Sequence, residues 1–152
     1  MLMLLFSVGE DRYALDCTQV VEIIPMIEVK KIIRAPDYIS GIFNYRGISV
    51  PVVDLCTLMI ARNSSSRLST RVVLVECKSE RDSSSQIVGM LAEKMTETVK
   101  VEDRELVTPG VNIERVPFLD KLFKIGDEMI QCIHLGKLID NMDLKDTVFS
   151  EG

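Results

Sequence analysis

The sequence predicts a mainly β fold of two strand-rich lobes, each ending in a short helix, and three observations carry that expectation. Most apolar segments are short, rich in β-branched residues and bounded by Gly, Pro or charged clusters, which is strand patterning rather than helix patterning. A polar stretch, Arg62-Asn-Ser-Ser-Ser-Arg67, interrupts the chain near its middle. Finally, Val52-Val-Asp-Leu-Cys-Thr-Leu-Met59 and Cys132-Ile-His-Leu-Gly-Lys-Leu-Ile139 share one pattern. Each runs apolar pair, polar cap candidate, Leu, two variable residues, Leu and an aliphatic, and each follows a Gly-containing hairpin.

Taken in order, residues 2–8 form a first strand, 9–12 a turn, and a second strand begins at Tyr13. Residues 20–24 make a third strand closed by Pro25, and 28–33 follow with charges and aliphatics mixed. Ala35-Pro36-Asp37 opens an irregular or one-turn helical piece over 37–40. Gly41-Ile-Phe-Asn-Tyr-Arg-Gly47 and Ile48-Ser-Val-Pro-Val-Val53 read as a hairpin, with Gly47 supplying the positive φ of its turn. Pro51 donates no hydrogen bond, so its strand is expected to be an edge or a bulge at that point. Asp54 is placed to cap a helix over Leu55–Ile60 by accepting from free N–H groups. Beyond the 62–67 linker, strands are expected over 71–77, 86–92 and 97–101, then a long loop over 102–117. A hairpin of 122–125 and 129–135 turns at Gly126-Asp127, and a helix over Leu135–Met142 precedes a loosely docked tail from Asp143.

At 152 residues the chain is read as one domain, 1–152, with a first lobe mainly over 10–60 and a second mainly over 70–135. The terminal segments are left free to cross between lobes. A net charge of −5, a pI near 5.0 and aromatic content of 5% without Trp argue against a nucleic-acid-binding barrel. Such a barrel wants stacking rings in a positive groove, and Lys30, Lys31 and Arg34 make a poor phosphate track. The apolar start, Met1-Leu-Met-Leu-Leu-Phe-Ser-Val8, has no basic region before it and ends at Glu10-Asp11-Arg12. It reads as a buried strand of a cytosolic protein, and no later run approaches a membrane span. Cys17, Cys56, Cys77 and Cys132 are widely spread in apolar settings, without a C-x-x-C pair, and are read as reduced core residues.

Residues for chemistry are scarce. His134, the sole histidine, stands where Asp54 stands in the first copy of the repeat. It is read as a helix-start residue bonding locally rather than as a general base or ligand, since no second His or nearby Cys accompanies it. No G-x-S-x-G elbow and no phosphate-cradling glycine motif occurs. The serine run 64–66 lies in the linker and needs no role beyond solubility. The reading therefore assigns no catalytic residue, no cofactor and no metal, and an enzyme stays the weaker hypothesis.

One stretch is far more specific. Val20-Val-Glu-Ile23 is followed by Ala35-Pro-Asp-Tyr-Ile-Ser-Gly-Ile-Phe-Asn-Tyr-Arg-Gly-Ile-Ser-Val-Pro-Val-Val-Asp-Leu55. This resembles the CheW-like family, whose pattern runs V-x-E-I, then P-x-x-I-x-G-[IL]-x-N-x-R-G, then a variable pair before VPVVDL. Phe6-Ser-Val-Gly9 with Tyr13-Ala-Leu15 resembles the family's first hairpin, and Val88-Gly-Met-Leu91 and Val107-Thr-Pro-Gly110 match more loosely. His134 departs from the family's usual Asp, and Phe43 from its usual Leu.

The resemblance implies two five-stranded barrels of the Src-homology-3-like type packed side by side. It implies a non-catalytic adaptor, cytoplasmic but recruited to membrane-associated arrays, that joins methyl-accepting receptor tips to a CheA-type histidine kinase. The Phe-Asn-Tyr-Arg-Gly core also resembles couplers of Wsp-type surface-sensing systems, an alternative with an output other than swimming. Carried over by position, the receptor groove involves Val20, Glu22, Gly41, Asn44, Arg46 and Gly47. Period-two alternation puts Val20 and Glu22 on one strand face. A Glu22–Arg46 pair, gripped through two hydrogen bonds, is expected to organise the groove; the bland alternative is that both side chains simply face solvent.

Overall fold

The computed structural model describes residues 1–62, 64, 70–109 and 118–142. Ten strands and two short helices account for most of them. They are β1 (Leu2–Val8), β2 (Asp11–Asp16), β3 (Val20–Pro25), β4 (Ile39–Tyr45), β5 (Ile48–Asp54), α1 (Leu55–Ile60), β6 (Arg71–Lys78), β7 (Ser85–Ala92), β8 (Lys94–Lys100), β9 (Leu119–Ile125), β10 (Glu128–Ile133) and α2 (Leu135–Met142). The strands sort into two five-stranded sheets, ordered β3-β6-β7-β5-β4 and β8-β1-β2-β10-β9. In both, one pair is parallel (β5 with β7, β10 with β2) and the other pairs are antiparallel.

The two sheets are the same fold cut at different places. Matching pairings in order sets β3, β4, β5, β6 and β7 against β8, β9, β10, β1 and β2. The first barrel is thus continuous in sequence, and the second starts at β8 and is completed by the N-terminal hairpin. The expected split at 62–67 is corrected here. That polar stretch joins α1 to β6 within the first barrel, and residues 71–92 pair with β3 and β5 rather than with the C-terminal strands. Parallel pairing across long separations leaves no local composition signal, so a polar connection reads as a boundary.

Each sheet closes on itself by the same device. The chain after β3 turns so that Lys30 exchanges backbone bonds with Ile42 on the opposite edge strand, at 2.8 and 2.9 Å. After β8, Val107 does likewise with Leu122, at 2.8 and 2.9 Å. Each bridge pairs part of the exposed ladder an open sheet would present.

Strand alternation builds three cores. Val72 and Leu74 of β6, with Val50 and Val52, fill the first barrel. Met3 and Leu5 of β1, with Phe123 and Ile130, fill the second. The alternate residues Leu4, Phe6 and Val8 of β1, and Val73, Val75 and Cys77 of β6, meet between the barrels with Leu55, Leu135 and Leu138 of the helices. β1 and β6 are buried on both faces, which is why they read as unbroken apolar runs.

Both helices start where expected. The Asp54 carboxylate accepts from Cys56 and Thr57 N–H at 3.0 and 3.3 Å. His134 Nδ1 accepts from Lys137 N–H at 3.2 Å at the head of α2, so its local role is a cap. Ser64 has a role beyond solubility: its N–H and hydroxyl both donate to Asp54, at 2.9 and 2.6 Å. Pro51 precedes the residues of β5 that pair with β7, so the strand is one-sided there despite its interior place. Residues 37–40 are not helical; a single turn from Pro36 to Ile39 leads into β4. The 28–33 segment forms no strand beyond the Lys30 bridge. Most of the 62–67 linker, residues 110–117 of the long loop, and the tail from 143 lie outside the described residues.

Candidate functional site

The site expected from the sequence falls on the first barrel, where β3 and the β4–β5 hairpin approach. Tyr45 and Ile48 pair across a two-residue turn. Arg46 and Gly47 both have positive φ, +50° and +87°, the hallmark of a type I′ hairpin. The Asn44 side-chain carbonyl accepts from Gly47 N–H at 2.9 Å and holds the turn from within. The sequence of three turn residues therefore builds one rigid presentation of Arg46.

Glu22 reaches this turn from β3, but its main partner is not the one expected. Tyr45 donates its hydroxyl to Glu22 Oε2 at 2.5 Å. Arg46 Nη2 lies 3.6 Å from the same oxygen, an ion-pair contact beyond hydrogen-bond range. The anticipated two-pronged grip is thus absent. Instead the guanidinium sits over the Tyr45 ring, with Cζ 5.1 Å from the centroid, and its side chain stays 76% exposed. Tyr45 itself meets Phe43 edge-on, with centroids 6.4 Å apart. The Glu22 hydrogen bond chiefly, and burial next, push the Tyr45 hydroxyl up, against an opposing pull from Arg46. At neutral pH it is a donor.

Gly41 belongs to the same strand but to a different task. A Cβ there would lie 2.4 Å from the Lys30 carbonyl oxygen, so glycine lets the closing bridge form. Val20 does not join the cluster. A bulge between Val20 and Glu22 pairs Val20 with Val75 and Glu22 with Leu74, neighbours that point to opposite faces of β6. Val20 consequently packs toward the core between the barrels, and Glu22 turns to the mouth of the first barrel. Shared-face geometry for the two is corrected on this ground.

The structure adds residues that sequence reading passed over. Tyr45 stood in the quoted motif, yet nothing in its spacing marked the hydroxyl as the group that would hold Glu22. Val21, Ile23 and, beyond the turn, Ile48 are exposed; Ile48 stands opposite Tyr45, whereas Ile23 pairs with Val73 and faces the other side of β3 from Glu22. Burial pushes the Cys77 thiol up to about 12 and that of Cys132 up to about 11, which keeps both protonated. Among the described residues no helix is long and apolar enough to cross a membrane.

Comparison with known proteins agrees with this fold. The family model described as a CheW-like domain matches residues 2–143. The chemotaxis protein CheW of Klebsiella aerogenes is 26% identical over 144 residues, covering 93% of this chain and 82% of that protein. Its counterpart in Bacillus subtilis is 22% identical over 140 residues, covering 91% and 86%. The crystal structure of the scaffolding protein TtCheW from Thermoanaerobacter tengcongensis aligns with a TM-score of 0.78 at 27% identity, over 91% of this chain and 92% of that one. From the first strand to the end of the second helix, then, one family description fits: this chain belongs to the CheW-like domain family.

Proposed function

We propose that the chain is a non-catalytic adaptor of bacterial chemotaxis signalling that couples methyl-accepting receptors to a CheA-type histidine kinase at membrane-associated arrays. Support comes from the family match over nearly the whole chain and from relatives named as chemotaxis and scaffolding proteins. The observation that carries the docking role is Arg46: an exposed guanidinium, on a turn held by Asn44 and Gly47, beside a carboxylate that does not occupy its donors. Receptor binding is assigned to Glu22, Asn44, Arg46 and Gly47. Gly41 lets β4, which leads to Asn44 and the turn, close against Lys30, and Val20 faces the seam between the barrels.

The test is ternary assembly. Purified full-length protein is mixed with a receptor tip fragment and the kinase of the same organism, and pulled down at physiological salt. The wild-type protein is expected to bring down both partners and Arg46→Glu to lose the receptor. An exposed pair contributes only about 0–1 kcal/mol to folding, so the variant is expected to stay folded. Assembly by Arg46→Glu at wild-type levels would contradict the docking role.

A further inference from the structure

We infer that Tyr45 is the positioning residue of the docking site: its hydroxyl fixes the Glu22 carboxylate and its ring seats the Arg46 guanidinium, leaving Arg46 N–H groups to meet an acidic side chain of the partner. The inference rests on the docking role proposed above and names what shapes it.

Three contacts converge on this one side chain. Glu22 is hydrogen-bonded by the Tyr45 hydroxyl at 2.5 Å, Arg46 lies over its ring at 5.1 Å, and Phe43 braces the ring edge-on. Phe43 and Tyr45 both pack against the core of the first barrel, so the ring is anchored from below. A guanidinium carries five N–H donors in a planar fork. Were Glu22 gripped by that fork, two donors would be consumed and the carboxylate satisfied by Arg46 alone. The 3.6 Å separation shows the reverse. Tyr45 satisfies the carboxylate, and Arg46 keeps its donors while Glu22 still steers it electrostatically. A cation that keeps its fork open suits a partner carboxylate, with which it can form paired charge-assisted bonds.

The test measures affinity of the full-length protein for a receptor tip fragment of the same organism, together with thermal stability. Tyr45→Phe keeps the ring and loses the hydroxyl; it is expected to bind about fivefold more weakly, with only a small drop in melting temperature. Tyr45→Leu also removes the seat and is expected to lose about tenfold or more. In a Glu22→Ala background, Tyr45→Phe is expected to have no further effect, because the bond it removes is already gone. In the unbound protein, NMR titration of labelled tyrosines is expected to show the Tyr45 hydroxyl ionising at lower pH in Glu22→Ala than in wild type. An unmoved titration would overturn the inference, as would additive losses in the double variant. Wild-type affinity for Tyr45→Phe, with Arg46→Glu inactive, would also overturn it while leaving the docking role standing. Wild-type affinity for Arg46→Glu would remove the docking role itself.

Discussion

In the first barrel Glu22 follows a bulge on edge strand β3; in the second, Glu97 follows a bulge at the matching place on β8. Each carboxylate lies near an arginine, yet the two arginines are used differently. Arg12 in the second barrel donates Nε and Nη2 to Glu128 at 2.9 and 2.6 Å and reaches Glu97 at 3.4 Å, with 21% of its side chain exposed. It ties β2, β10 and β8 together. Arg46 in the first barrel makes one 3.6 Å contact, leaves the tying of β4 to β3 to Tyr45, and stays open. One fold, used twice in a chain, thus closes one mouth with its arginine and leaves the other arginine available. That contrast separates a structural pair from a recognition pair better than the presence of an ion pair does, since both barrels have one.

The largest expected effects test whether the barrels share one unfolding unit. Leu5 and Leu74 are fully buried and occupy matching positions in the two interiors. Replacing either with Ala is expected to cost about 2–5 kcal/mol. Because Leu4, Phe6, Val73 and Val75 meet in a common core, either variant is expected to lower one cooperative denaturant transition. A second, separate transition in either variant would show that the barrels fold independently.

Next in size is the closing bridge. Barrel two closes at Val107–Leu122 beside Lys121, and barrel one at Lys30–Ile42 beside Gly41. Gly41→Ala forces a contact with the Lys30 carbonyl and is expected to destabilise by about 1–3 kcal/mol. Equilibrium unfolding checks it, and an unchanged midpoint would mean that the bridge moves aside freely.

A smaller effect separates the arginines by pH. The Arg12 hydrogen bond first, and its charge besides, hold the Glu128 carboxyl below the usual range, against some desolvation. A lowered folded pKa adds stability at pH above the unfolded carboxylate value, and that stability is lost as pH falls through the folded value. Arg12→Met is therefore expected to melt lower than wild type at neutral pH, with the gap closing in acid. A gap that persists in acid would assign the loss to the packing of the Arg12 side chain instead. Exchanging the charges at the other site, Glu22→Arg with Arg46→Glu, is expected to leave stability almost unchanged and not to restore receptor binding. The Tyr45 hydroxyl then has no carboxylate at position 22 to hold, and the partner meets the wrong sign.

Much of this was legible in the sequence. Both helices have the bounds their sequence patterns predict, Asp54 caps the first, and the β4–β5 hairpin with its turn follows from local chemistry alone. Local chemistry does not reveal which strands pair across long distances, so a polar connection between two elements of the first barrel reads as the divide between lobes. Period-two alternation placed Val20 with Glu22, but a bulge adds one residue and reverses the face, and nothing in Val-Val-Glu announces it. The pairing of Arg46 with Glu22 comes from the resemblance to the family; the Tyr45 hydroxyl between them is a matter of ångströms that a sequence motif does not carry.

The central claim is that the exposed arginine recognises a partner and the forked one holds a barrel together. Calorimetric titration of a receptor tip fragment into Arg46→Ala and Arg12→Ala, each also melted, tests it directly. Arg46→Ala is expected to lose about tenfold or more in affinity at unchanged melting temperature, as an interface arginine does. Arg12→Ala is expected to keep its affinity and melt lower. The opposite pattern, with Arg12→Ala losing the receptor and Arg46→Ala losing stability, would contradict the account.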